Sequence, residues 1–246
     1  MDSDLEDVLA ALAAGDLSVA EARDRIRGVG RVGDVARVDT TQGERTGIPE
    51  IVECERKSTQ AVVGIGRELL EGTGRAILTD VGEEARSTLA ALADESTWYE
   101  GSRTLVLHAE GFERPEAEGT VAVVTAGTSD VPVAEQAVAV AEEMGCPVET
   151  LYDVGVSGIQ RLYDEADVLR SADAVVVAAG REGALATVVA GLVAAPVVGL
   201  PVGTGTGYGG GGEAALMGML QSCTYLTVVN VDAGFRAGAQ AALIAR

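Results

Sequence analysis

Cys223 stands in Gln221-Ser222-Cys223-Thr224, between a helical pattern and a strand pattern. A thiolate there would be an effective nucleophile if a nearby positive group lowered its pKa. Beside Leu220 and Leu226, the commoner role of such a cysteine is that of a small buried hydrophobe. Cys54 and Cys146 carry less, and Cys146, after Gly145 at a strand entry, reads as packing. Gly127-Thr128-Ser129-Asp130 also lies between strand and helix. Its glycine admits a ligand closely, and its hydroxyls and helix N-terminus offer donors to an anion such as phosphate. Asp130 could polarise a hydroxyl or hold a metal; as a helix cap, Ser129 or Asp130 would need no ligand at all. Residues 203–212 hold seven glycines in ten positions. That loop resembles a phosphate cradle without the Gly-Lys-Ser/Thr ending, and it equally suits mobility or close packing against a neighbouring subunit. Among the 18 basic residues, Lys57 is the one lysine. It supplies a compact point charge that arginine does not imitate, in a cluster with Arg45 and Glu50, or it is a plain surface lysine. His108, the single histidine, sits in a strand-like run and reads as structural. One histidine cannot serve a serine triad and a metal site together.

The elements that must position these residues are those of an α/β protein. The 246 residues are 47% hydrophobic and 23% charged, which fits one or two globular domains. Aromatics are only 3%, so the core is aliphatic, broken by Gly-rich turns. With 38 acids against 18 bases, the formal charge is −20. A field of that sign repels phosphate backbones and anionic lipid surfaces, so neither nucleic acid nor a membrane is an expected partner. An acidic, lysine-poor surface suits a cytosol of very high salt, where the Debye length falls to roughly 3 Å at 1 M. Met1-Asp2-Ser3-Asp4-Leu5-Glu6 is acidic, unlike a signal peptide, and three cysteines form no disulfide or zinc pattern. The expected location is a reducing cytoplasm.

Along the chain, residues 2–28 read as two helices, with Ser18 and Glu21 as a capping box opening the second. Gly28, Gly30 and Gly33 read as loosened chain. Strands are expected at 35–39, 49–54, 76–79 and 103–108, a polar loop at 40–47, and helices at 59–71 and 83–92. Residues 110–119, with four Glu, a Pro and two Gly, read as a linker. Beyond it, strands at 120–125, 148–152, 174–178, 196–200 and 227–230 alternate with helices at 133–144, up to about 171, up to 192, at 213–220 and at 233–244. Strands apolar on both faces that alternate with helices imply a covered parallel sheet. Ligands of such sheets sit beyond the carboxyl ends of the strands, where each of the small-residue loops lies.

The ordered set of motifs resembles the LarB family. The matching segments are Val124-Thr125-Ala126-Gly127-Thr128-Ser129-Asp130, Asp153-Val154-Gly155-Val156-Ser157-Gly158 with Arg161, and Gly180 with Glu182-Gly183-Ala184. Gly207-Tyr208-Gly209, Met219-Leu220, Ser222-Cys223, Asn230, Asp232 and Gly234-Phe235 continue it, and Asp39, Arg45, Gly47, Pro49-Glu50 and Lys57 match the leading motif. The resemblance implies a PurE/flavodoxin-like, doubly wound, three-layer parallel sheet at 118–246, after a smaller N-terminal α+β domain at 1–112 whose loop 39–57 holds substrate.

It also implies a reaction in nickel-pincer nucleotide synthesis for lactate racemase maturation. Nicotinic acid adenine dinucleotide gains a carboxyl at pyridinium C5 from CO2 or bicarbonate, and its phosphoanhydride is cleaved. The products would be pyridinium-3,5-biscarboxylic acid mononucleotide and AMP. Cys223 would form the covalent adduct, Glu182 would remove the C5 proton, and Asp130 and Ser129 would assist. Asp39, Arg45, Glu50, Lys57, Gly127, Thr128, Gly155, Arg161, Gly183, Tyr208, Asn230 and Asp232 would bind substrate. Mg²⁺ is implied for the anhydride cleavage, with no tightly bound organic cofactor, in a homo-oligomer of the octameric kind. Gln42, Gln160, Arg181 and Gln221 depart from the family pattern. The competing expectations are an aminoimidazole ribonucleotide carboxylase or mutase, which the lack of a histidine after His108 opposes, and a nucleotide-binding module without catalysis.

Overall fold

The computed structural model describes residues 2–33 and 36–246. The chain opens with α1 (Asp2–Ala14) and α2 (Val19–Ile26). The reciprocal cap of α2 is present: Glu21 N–H donates to Ser18 Oγ at 3.2 Å, and Ser18 N–H donates to the Glu21 carboxylate at 2.7 Å. Residues 28–33 are not loosened chain. They carry β1 (Val29–Val32), antiparallel to β2 (Ala36–Asp39), with Val29 opposite Asp39. Gly30 serves close packing there, since a Cβ would stand 2.4 Å from the Glu68 side chain. Of the strand expected at 35–39, Val35 lies outside the described residues. The polar stretch 40–47 holds a one-turn helix, α3 (Gln42–Thr46), closed by Gly47 at φ 72°. Its short polar sequence has no apolar stripe to reveal a helix.

Next come β3 (Ile51–Glu53), α4 (Thr59–Thr73), β4 (Arg75–Thr79), α5 (Glu83–Ala90), β5 (Glu95–Tyr99) and β6 (Thr104–His108). These strands form one sheet in the order β3-β4-β6-β5, with β3 parallel and β6 antiparallel to β4. β5 is an exposed edge strand without an apolar alternation, so the sequence reading passed over it. Val62, Ile65 and Leu69 of α4 pack with Leu78, Leu89 and Leu107 to make the core. His108 is buried and stacks on Phe112, 4.8 Å between ring centroids, which is the structural role expected of it.

The remaining elements are β7 (Val121–Thr125), α6 (Val131–Glu143), β8 (Val148–Leu151), α7 (Ile159–Asp164), α8 (Ala166–Ser171), β9 (Ala174–Ala179), α9 (Ala184–Ala190), β10 (Val197–Pro201), α10 (Glu213–Leu220), β11 (Thr227–Val228) and α11 (Gly234–Ala245). The single helix expected up to 171 is two, interrupted at Glu165. The five strands are all parallel, in the order β11-β10-β9-β7-β8, and helices flank them. Every residue of β7, β9 and β10 is buried, as covered parallel strands require. Gly234 and Gly238 set α11 directly on the backbone of α6; a Cβ at either would lie within 2.4 Å of a carbonyl oxygen of α6.

The chain divides into two compact units, Met1–Trp98 with Leu105–Phe112, and Tyr99–Thr104 with Glu113–Arg246. No helix among the described residues is long and apolar enough to cross a membrane.

Candidate functional site

In the second unit the chain leaves β7 toward β8 on one side and β9 toward β10 on the other, so the sheet order reverses between β7 and β9. A crevice opens beyond the carboxyl ends of strands at such a reversal. Here it is a cavity of about 320 Å³, lined by residues of four loops: 126–130, 155–157, 180–182 and 204–206. Glycines bring the loops together. A Cβ on Gly155 would lie 2.4 Å from the Ala126 carbonyl oxygen, and one on Gly205 would lie 2.1 Å from that of Gly180.

Asp130 forms the floor. It is only 4% exposed, and both carboxylate oxygens are held. Oδ2 accepts the Gly127 N–H at 3.0 Å and Oδ1 accepts the Thr204 hydroxyl at 2.9 Å. Burial pushes its pKa up, and these two hydrogen bonds counter that only in part. A side chain on Gly180 would strike the same pair, 2.5 Å from Thr204 Oγ1 and 2.9 Å from Asp130 Oδ1. The arrangement is a carboxyl that can take or give a proton inside a crevice of donors. Ser129 and Glu182 are exposed and line the cavity, and Arg181 brings a cation to it.

Cys223 is exposed and does not line this cavity. It precedes β11, whose first residue, Thr227, pairs with Val198 near the start of β10, so it lies toward the amino end of the sheet. Two contacts tie it to the Glu182 loop. A Cβ on Gly218 of α10 would stand 2.2 Å from the Glu182 carbonyl oxygen, so the Glu182 backbone rests on α10 five residues before Cys223. Ser222 Oγ also bonds to Thr187 Oγ1 of α9 at 2.8 Å and to Thr224 Oγ1 at 2.7 Å, fixing the cysteine's turn to the helix that follows Glu182. Gly183 is left-handed at φ 72°, and a Cβ there would lie 2.7 Å from the Ala215 carbonyl oxygen.

The other expected site residues of this unit are scattered. Gly127, through its N–H, and Gly155 shape the cavity, whereas Thr128 is exposed outside it. Arg161 is paired with Asp153 at 2.5 Å. Asp232 accepts the Gly203 N–H at 2.8 Å and so anchors the glycine loop, while Asn230 Oδ1 accepts the Val231 N–H at 2.9 Å. Tyr208 projects fully exposed from that loop. The residue the sequence reading missed is Thr204. Its signal was present, a hydroxyl in a glycine loop after a strand, but only the fold shows it donating to Asp130.

In the first unit the leading motif is held by its own ion pairs. Arg45 grips Asp39 with two hydrogen bonds, 2.7 and 3.0 Å, and Thr41 N–H adds a third at 3.1 Å. The guanidinium, first of all, holds the Asp39 carboxyl below the usual range. Glu50 goes the other way: burial and the Asp39 charge raise its pKa, against the pull of Arg45. Lys57 Nζ donates to the Glu53 carbonyl. Asp39 and Glu50 line one hollow of about 460 Å³, and Glu50 and Lys57 another of about 420 Å³. Gln42, in place of an expected arginine, donates to the Pro49 carbonyl at 3.2 Å. Cys54 is buried and its thiol is pushed up to about 11, which makes it inert.

Among the described residues no three His, Cys, Asp or Glu side chains gather as metal ligands.

A five-stranded parallel sheet with glycine loops around a buried carboxyl, at the point where its strand order reverses, defines a doubly wound α/β protein with a crevice for a ligand. Comparison with known families agrees. The AIR carboxylase family model matches residues 120–246, and the LarB/PurE-like N-terminal domain matches residues 30–110. An uncharacterized protein of Methanocaldococcus jannaschii is 35% identical, in an alignment covering 100% of this chain and 98% of that one. The chain belongs to the LarB family, related to PurE-type AIR carboxylases, and its function is LarB-type or AIR-carboxylase-like.

Proposed function

We propose that this protein carboxylates nicotinic acid adenine dinucleotide at pyridinium C5 and hydrolyses its phosphoanhydride. A pyridinium ring is electron-poor and does not attack CO2. Addition of the Cys223 thiolate beside C5 forms a C–S bond and converts the ring to an enamine-like dihydropyridine. The C5 carbon then forms a C–C bond to CO2, leaving a cationic ring that still bears the C5 proton. Glu182 takes that proton, its electron pair restores aromaticity, and the thiolate departs unchanged. The net change replaces H⁺ by CO2 with no oxidant or reductant. Water then cleaves the anhydride to AMP and the biscarboxylated mononucleotide. Asp130, protonated more readily than an ordinary aspartate, relays protons at the floor of the cavity, and Ser129 assists it.

The glycine loops are proposed to cradle phosphate and ribose, with Asp39, Arg45, Glu50, Lys57 and Arg161 holding the rest of the substrate. Mg²⁺ is proposed as a companion of the substrate's phosphates rather than of a protein cage. The exposed apolar residues Met217, Leu220 and Tyr225, near the Cys223 turn, and Tyr208 of the glycine loop support association of copies, proposed to be an octamer. No nucleic acid or membrane partner is proposed, and the proposed location is the cytoplasm.

The observation that supports this reading is the crevice at the sheet reversal, where glycine loops bring Glu182 to the cavity whose floor is the buried Asp130 carboxyl. The test is release of AMP from the dinucleotide with bicarbonate. Cys223→Ser is expected to abolish it, with the wild type showing a dinucleotide adduct by intact mass. Equal AMP and carboxylated product from Cys223→Ser would end the covalent mechanism. The AIR carboxylase reading is favoured by the family match alone and opposed by the burial of the one histidine, His108, under Phe112.

A further inference from the structure

The first unit has a third hollow, of about 430 Å³, and its charge is contrary to the rest of the molecule. Its lining includes five arginines: Arg23 of α2, Arg27 just beyond it, Arg31 of β1, Arg37 of β2 and Arg45 of α3. The two acids that line it are Asp24 and Asp39. A chain of net charge −20 therefore concentrates three excess positive charges among the described residues of one concavity.

The two aspartates are already committed. Asp24, buried, accepts from Arg31 and is 3.4 Å from Arg23; the Arg31 hydrogen bond, first of all, lowers its pKa. Asp39 is held by Arg45. Among the described residues no carboxylate pairs with Arg27 or Arg37. Arg37 is moreover the cross-strand neighbour of Arg31 in the β1–β2 ladder. Like charges directly opposite are destabilising in a sheet, so this pairing has a cost that folding alone does not explain. Nor is the convergence an accident of one helix face. Gly28, left-handed at φ 67°, lets the end of α2 close on the β2–α3 turn, where a Cβ would stand 2.3 Å from Thr41 Oγ1. Arginines from helix, hairpin and the next helix are thereby drawn to one place.

Guanidinium groups recognise tetrahedral oxyanions through paired N–H donors, and phosphate is the anion whose charge matches such an excess. We propose that this hollow is a phosphate-binding site, in which Arg27 and Arg37 supply the free guanidinium groups and Arg23, Arg31 and Arg45 frame them. The ligand is a phosphate group, borne by a nucleotide or free in solution. This site shares no residue with the cavity around Asp130; of its lining, Asp39 and Arg45 are also proposed to hold the dinucleotide, whereas Arg27 and Arg37 are not.

The test is isothermal titration of the full chain with AMP, inorganic phosphate and adenosine, at the lowest KCl that keeps it folded. Saturable binding of AMP or phosphate that the arginine substitutions weaken is expected, with none of adenosine at this site. Tighter binding of AMP than of phosphate makes the ligand a nucleotide; equal binding makes it free phosphate. Arg27→Gln with Arg37→Gln is expected to weaken binding about tenfold or more, the scale of losing a charged hydrogen bond. Arg37→Lys alone is expected to keep binding with a smaller loss, which reads the site even if the double variant does not fold. The control Arg170→Gln is expected to bind as the wild type does. No saturable phosphate or AMP binding, or affinity unchanged in both the Arg37→Lys and the double variant, would overturn the proposal. Neither result bears on AMP release by Cys223, so the two readings fail separately.

Discussion

Asp39 in the first unit and Asp130 in the second are the same chemical group driven in opposite directions. Asp39 lies half-exposed against Arg45, which holds it ionised. Asp130 lies buried with only neutral donors on it, Gly127 N–H and the Thr204 hydroxyl, and burial raises its pKa. A carboxylate locked to a cation is a fixed charge, suited to holding and orienting. A carboxyl stripped of water and of cations is suited to exchanging a proton. Glu50 shows that the contacts, not the unit, decide: beside Asp39 but half-buried, it too shifts upward. The first unit therefore reads as charge organised for binding, and the second as acid–base chemistry.

The largest effect expected on this division comes from Glu182→Gln. Removing the base should lower turnover by about 10²–10⁴-fold while dinucleotide binding persists. Parallel AMP-release and titration experiments measure both, and loss of binding without loss of turnover would reverse the roles.

Asp130→Asn comes next, with turnover expected to fall by about 10²-fold. Its effect on stability has the opposite sign to that usual for a buried substitution. The folded pKa of Asp130 lies above its unfolded value, so the protonated group favours folding. That stability is complete below the ordinary aspartate range and is lost as pH rises through the raised folded value. Wherever the buried carboxyl is ionised, its charge is a burden that asparagine removes. The variant should melt at or above the wild-type temperature at pH 7, and lose the wild type's gain on acidification. Thermal melts across pH 4–8 check this, and a lower melting temperature at pH 7 would place Asp130 among charges the fold needs.

Arg45→Gln should show the smallest effect, with the pH dependence inverted. The Asp39 pKa is lowered in the folded state, so its stabilisation is present above the ordinary range and lost as pH falls through the lowered value. For so exposed a pair only a small loss is expected in dilute salt, shrinking in concentrated KCl. Melts at two salt concentrations read this. They also test the proposed adaptation of the acidic surface to high salt, which requires the whole protein to gain stability as KCl rises.

Much of this division was legible in the residues. Val121–Thr125 and Ala174–Ala179 are apolar on both faces, which demands a covered parallel sheet, and the small-residue loops then fall at its carboxyl ends. What escaped was set by contacts distant in sequence. β1 hides its strand character behind Gly30, whose role depends on Glu68 far along the chain. β5 is an exposed edge strand with no apolar pattern to betray it. Asp130 could be read as a helix cap or as a chemical group; its carboxylate accepts the Gly127 N–H as a reciprocal cap does, and also the Thr204 hydroxyl, 74 residues away, which no local pattern reveals. Asp232 and Asn230 look like ligand residues in sequence, yet each bonds the backbone of its own loop system. The arginine hollow was equally invisible, because its five members come from four elements and the segment just after α2.

The central claim is that the chain builds a carbon–carbon bond on a pyridinium dinucleotide. The direct measurement is mass spectrometry of the products after incubation in high KCl with nicotinic acid adenine dinucleotide, ¹³C-bicarbonate and Mg²⁺. A ¹³C-labelled biscarboxylated mononucleotide and AMP are expected in equal amounts. Dinucleotide recovered bound but unchanged would contradict it, and would make the protein a nucleotide-binding module instead.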